Sequence, residues 1–142
     1  MSDTPESALS QETMQSARAS FDRCCAAADF FLCFYRNFFK RAPSVEPMFA
    51  NTDFKRQHRL LKHAIGLLLV FPNQKPSDPP LLKRVAGRHS RAELGIDPSL
   101  YPAFVDALIT TVAEHDPEFD EAIERAWRDT VTAGIAYMQA AY

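Results

Sequence analysis

The chain has 142 residues, of which 46% are apolar and 24% charged, with a formal net charge of −2. That length suits one domain with one sizeable core, since a domain near 150 residues buries about 70% of the surface its unfolded chain exposes. The weak charge offers no field to gather nucleic acid, the longest apolar run, Ala64 to Phe71, falls well short of the ~20 residues that cross a membrane, and no basic-then-apolar leader opens the chain, so a cytoplasmic protein is expected.

Helical periodicity runs through the sequence and convincing strand alternation does not, which predicts a single all-α domain over residues 1–142 with a flexible tail at residues 1–8. A modest polar helix is predicted over Ser10 to Phe21. Phe30, Phe31, Phe34, Tyr35, Phe38 and Phe39 then share one broad apolar face of a second helix, ended by Pro43 and Pro47, which shape a loop leading to Phe49. Asp53 is the expected N-cap of a third helix whose stripe is Leu60, Leu61, Ala64, Ile65 and Leu68, closed by Phe71-Pro72-Asn73.

The proline-rich stretch from Asn73 to Pro80 reads as a linker, and a short helix follows from Leu81 to about Arg91. Gly95 breaks the chain, and Asp97-Pro98 reads as an N-cap with proline in the first helical turn. Tyr101, Phe104, Val105, Leu108, Ile109 and Val112 mark the buried face of the next helix; Phe119, Ile123, Trp127, Ile135 and Met138 mark that of the last.

The candidate chemistry lies with the histidines and with a few polar residues on apolar faces. Cys24, Cys25 and Cys33 have no CxxC spacing and read as small buried residues of a reducing compartment. His89 follows Leu82, Val85 and Ala86 by seven, four and three residues, so it points at the core, where it is either a hydrogen-bonded core histidine or a metal ligand. His58 and His63 tend toward the charged side of the third helix, and His115 sits at a helix C-terminus, where the dipole favours an imidazolium. Gln57 leads the buried stripe of the third helix, because four, seven, eight and eleven residues on come Leu61, Ala64, Ile65 and Leu68.

Taken in order, Phe34-Tyr35, Phe49, Asp53-x3-Gln57-x3-Leu61-x2-Ala64-Ile65, Val85-x3-His89, Gly95-Ile96-x-Pro98-x2-Tyr101 and Ala126-Trp127 resemble the bacterial globins, in particular single-domain haemoglobins and the globin domain of flavohaemoglobins. The resemblance covers roughly Phe30 to Met138. It implies a three-over-three helical sandwich around a pocket for haem b, iron protoporphyrin IX. His89 matches the proximal iron ligand; Phe49, Leu61, Val85, Arg88 and Tyr101 match positions around the cofactor; Tyr35 and Gln57 match the distal donors that face a bound gas.

The gap between Phe49 and Gln57 departs from the flavohaemoglobin spacing, and a one-residue shift puts His58 rather than Gln57 in the distal position. The glutamate that in flavohaemoglobins works with the tyrosine matched by Tyr101 falls at Tyr142, so that pair is absent.

The implied activity is reversible binding of dioxygen, nitric oxide and carbon monoxide at a pentacoordinate or weakly hexacoordinate iron, by a monomer or homodimer that binds neither nucleic acid nor membrane. Two alternatives stand beside it: nitric oxide dioxygenase chemistry, which requires a separate reductase because the chain carries no flavin domain, and a globin-fold sensor or interaction module. The aromatic cluster makes sense in this light. A haem is a large flat apolar object, and the rings from Phe30 to Phe49 can supply one wall of its pocket, with Tyr35 as the polar exception.

Overall fold

A computed structural model describes residues 9–75 and 77–142 of the chain. The tail expected at residues 1–8 lies outside the described residues. Six α-helices and three 3-10 segments make up the regular structure, with no strand among the described residues.

Helix α1 spans Gln11–Cys25, with the Ser10 hydroxyl accepting from the Thr13 amide at 3.0 Å. It outruns the predicted end at Phe21 because its buried row, Met14, Ala17, Phe21 and Cys24, continues at helical spacing through a small apolar thiol. Helix α2, Phe30–Arg41, buries Phe30, Phe34, Tyr35 and Phe38. The expected loop after it is instead a 3-10 helix, Pro43–Phe49, since the φ that proline imposes also suits this tighter coil.

Helix α3 spans Phe54–Val70, and Asp53 caps it as expected, its carboxylate accepting from the Lys55 and Arg56 amides. Its buried row is Leu61, Ile65, Leu68 and Leu69. Leu60 is 49% exposed, because one residue from Leu61 is a 100° turn away from that row. A 3-10 turn, Phe71–Asn73, closes the helix.

Helix α4, Lys83–His89, is shorter at both ends than the predicted segment. Leu82 turns inward ahead of it, while Ser90 adopts extended backbone and its hydroxyl donates to the Gly87 carbonyl at 2.7 Å. Asp97, accepting from the Ser99 amide, opens a 3-10 turn at Pro98–Leu100 that runs into α5, Tyr101–His115. Asp120 caps α6, Glu121–Ala140, by accepting from the Ile123 amide at 2.9 Å.

Helices α1, α3 and α4 lie over α2, α5 and α6, giving the three-over-three arrangement. The most extensive packing is of α2 on α5 and of α1 on α6; α3 and α4 also pack on α6. Trp127, Phe30, Phe34, Ile65 and Leu108 are fully covered at the centre, each stabilising the fold by about 1.5–3 kcal/mol through burial.

One buried polar chain ties the helices together. The Trp127 indole donates to the Ser20 hydroxyl at 2.9 Å, Ser20 donates to the Asp116 carboxylate at 2.6 Å, and Arg23 donates to both Asp116 oxygens at 2.6 and 2.9 Å. Burial pushes the Asp116 carboxyl up, but the hydrogen bonds from Arg23 and Ser20 outweigh it and hold the group below its ordinary range. No helix among the described residues is long and apolar enough to cross a membrane.

Candidate functional site

Tyr35 and Gln57 meet where α2 faces α3. The Gln57 amide donates to the Tyr35 hydroxyl oxygen at 3.0 Å. Tyr35 is 4% exposed, and its ring sits among Phe34, Phe39, Phe49 and Phe54 at centroid distances of 5.2 to 5.9 Å. Burial pushes its phenol up to about 12, and the Gln57 donor only partly offsets this. The group is therefore a neutral phenol at physiological pH. Among the described residues no acceptor takes its proton, so the hydroxyl is free to donate to something else.

His58 lies against the face of the Tyr35 ring. Its imidazole stacks on the phenol at 5.8 Å and 12°, and Phe31 and Phe54 each stand 6.1 Å away. Its Nε2 is buried and has no hydrogen-bond partner, and burial lowers the imidazole below its ordinary pKa. The backbone thus brings Gln57 to the phenol oxygen and His58 to the phenol face. Leu61, one turn after Gln57, is buried, while His63 is exposed. Phe54, absent from the sequence-based candidates, belongs to the same face. Its spacing of three from Gln57 and four from His58 was the available signal.

Helix α4 and the loop after it carry a second group of candidate residues. His89 Nδ1 lies 2.8 Å from the Val85 carbonyl oxygen. A carbonyl can only accept, so Nδ1 carries the proton, and in the neutral ring Nε2 keeps its lone pair for a metal. The chain then turns back at Gly95, whose φ of 63° lies in the left-handed region that favours glycine. That turn returns the Ile96 amide to the His89 carbonyl at 3.0 Å and the Leu94 amide to that of Arg88 at 3.1 Å.

Val85 is half-buried and Arg88 exposed on α4; Tyr101 opens α5 at 8% exposure, and burial pushes its phenol up. Tyr142 packs beside the same loop: its carbonyl accepts from the Arg91 amide at 3.1 Å, and the Arg91 guanidinium stands 5.0 Å over its ring.

Chemically, the chain offers on α4 an imidazole whose Nδ1 is tied to a backbone carbonyl and, on other helices, a buried phenol and an amide with hydrogen-bonding capacity. The family model described as Globin matches residues 32–138. A solved structure from Pseudomonas aeruginosa PAO1, described as structurally highly homologous to a human haemoglobin, is 37% identical, with 92% of this chain and 98% of that one covered and a TM-score of 0.85. No curated protein matches. The matched segment runs from α2 into the last turns of α6 and contains Tyr35, Gln57 and His89, and the chain belongs to the globin family.

Proposed function

We propose that this globin holds haem b through His89 and reversibly binds dioxygen and other diatomic gases beside Tyr35 and Gln57. Globins in general bind haem. The observation that carries the reading here is the His89 tautomer: with Nδ1 spent on the Val85 carbonyl, Nε2 is the nitrogen left for iron.

Other residues suit the same group. Phe49, Val85, Ile96, Leu100 and Phe104 pack against the core with part of their surface uncovered, an apolar lining that suits a flat cofactor. Arg88, exposed on α4 next to His89, has the charge and reach to pair with a propionate.

Bound haem supplies an iron with a free coordination position for a diatomic gas. The chain does the rest. Val85 fixes the orientation and tautomer of His89, while Phe49 would line the cofactor and Leu61 would bound the space for its ligand. Tyr35 holds a proton on its hydroxyl and offers it to a gas ligand that carries partial negative charge, while Gln57 keeps the phenol in place and adds a second donor. Carbon monoxide and nitric oxide fit the same position.

The test is an absorption spectrum of the reduced protein with and without carbon monoxide, on the native chain and on His89→Gly with and without added imidazole. We expect a Soret band that shifts with carbon monoxide, lost haem in the variant and its return with imidazole. Full haem stoichiometry in His89→Gly without imidazole would refute the ligand assignment.

A further inference from the structure

Away from Tyr35 and His89, three metal-capable side chains converge where the start of α2 meets the end of α5. The carboxylate of Asp29, the thiol of Cys33 and the imidazole of His115 place their ligand atoms all within 4.8 Å of one another. Asp29 Oδ1 lies 3.3 Å from His115 Nε2, and Asp29 Oδ2 lies 3.7 Å from Cys33 Sγ. Zinc binds nitrogen and oxygen at about 2.0–2.2 Å and sulfur at about 2.3 Å, so the edges of its tetrahedron run roughly 3.3–3.8 Å. The Oδ1–Nε2 separation falls in that range; the 3.7 Å contact to Cys33 is made by the other oxygen of the same carboxylate.

Two further observations point to a cation. His115 Nδ1 lies 2.8 Å from the Thr111 carbonyl, which can only accept, so Nδ1 is the protonated nitrogen. In the neutral ring the Nε2 lone pair then faces a carboxylate oxygen, an arrangement that needs a cation between them, either a proton on Nε2 or a metal ion. The carbonyl tether is also the support that metal-bound histidines use.

The second observation is Asp29 itself. Ser10, Asp53, Asp97 and Asp120 all accept from amides of the helices they cap; Asp29, in the N-cap position of α2, makes no such bond and turns its carboxylate to His115 and Cys33 instead. The imidazole is 11% exposed and the carboxylate 63%, so the cluster has a rigid base and an open approach from solvent.

We propose that Asp29, Cys33 and His115 form a binding site for a divalent cation of the zinc class, with one oxygen, one sulfur and one nitrogen ligand and the fourth position left to water. The mixed set suits a borderline-soft ion better than calcium or magnesium, which take oxygen. On binding, the thiol proton leaves to solvent and the thiolate takes the metal. The site does not depend on haem.

The experiment uses the full chain, freed of metal with a chelator and then titrated with zinc alone against a chromophoric competitor, with alkylation of each cysteine read by mass spectrometry. One zinc per chain is expected, with Cys33 protected from alkylation and Cys25 not. Cys33→Ser, a change of one atom that spares the fold, and Asp29→Asn should each weaken binding at least tenfold. Affinity unchanged in both variants, or no protection of Cys33 at saturating zinc, would overturn the proposal and leave an Asp29–His115 ion pair.

Discussion

Gln57 donates its amide to the Tyr35 hydroxyl oxygen across 3.0 Å, and this leaves the phenol with a proton that no described protein group accepts. A phenol whose oxygen was instead donating to a carbonyl would be one more ring in the core. Here the amide occupies the acceptor side of the hydroxyl and keeps its donor side available.

Tyr35→Phe should therefore speed gas release. A hydrogen bond to a charged partner contributes about 1.5–3 kcal/mol, and each 1.4 kcal/mol is tenfold, so the oxygen off-rate should rise by roughly one to two orders of magnitude. Gln57→Leu should give a smaller rise, since it loosens the phenol without removing it. Flash photolysis or stopped-flow displacement measures both. An unchanged rate in Tyr35→Phe would place the hydroxyl away from the gas.

The same phenol sets an alkaline limit. Its folded pKa of about 12 stands above the ordinary 10.0, so the folded state holds the proton more tightly than the unfolded chain does. The contribution is fully present below pH 10 and is lost as pH rises from 10 through about 12; two units correspond to about 2–3 kcal/mol. Chemical denaturation at pH 9 and pH 11 should show the loss in the native chain and a smaller one in Tyr35→Phe.

His58 should behave in the opposite sense. Burial lowers its pKa, so the unfolded chain binds the proton more readily, and stability falls as pH drops below 6.5 toward the folded value. His58→Phe keeps a flat ring stacked on Tyr35 and removes the unpartnered Nε2, so it should raise stability at neutral pH by about 1 kcal/mol and reduce the acid loss. Urea melts at pH 7 and pH 5 measure this. The carbon monoxide complex of His58→Phe should keep its spectrum while that of Gln57→Leu changes; the reverse would put His58 in the distal position.

How the site could be read from sequence follows from which signals are local. Asp53 was legible as a cap because capping acts within three residues of the chain. The choice between Gln57 and His58 was not legible, because both can approach Tyr35 and only the crossing of α2 and α3 decides which one meets its oxygen. Asp116 was missed for a similar reason. Nothing in its local sequence marks its role, because its partners Ser20 and Arg23 stand more than ninety residues earlier.

That network supplies the next prediction. Arg23→Met removes the cation from a carboxylate with no exposed surface, so Asp116 is left buried with only Ser20 and the Glu118 amide. Breaking a buried pair costs about 3–5 kcal/mol, and the 26% exposure of Arg23 argues for the lower end, near 3 kcal/mol. In the native chain this contribution is present above pH 3.8 and is lost as pH falls through the lower folded pKa of Asp116. Denaturant titrations of Arg23→Met and the native chain at pH 7 give the difference directly; a change within 0.5 kcal/mol, as at an ordinary surface site, would show that the pair is solvated in solution.

Gly134 links the core to α4. A Cβ at that position on α6 would lie 2.6 Å from Leu68 Cδ2 and 2.9 Å from Leu82 Cδ1, both below contact distance. These methyls belong to side chains that are 5% and 1% exposed, so they have little room to turn away. Gly134→Ala gains about 0.5–1 kcal/mol of helix preference and loses about 1–3 kcal/mol to overpacking, for a net loss near 1 kcal/mol. Gly134→Val adds two more methyl groups to the same gap and should lose several times that. Because Leu82 immediately precedes α4, the displacement should reach His89, so Gly134→Val should also bind haem more weakly than Gly134→Ala in a titration followed at the Soret band. A valine variant with native stability and native haem affinity would mean that α6 and α4 are not held together at Gly134.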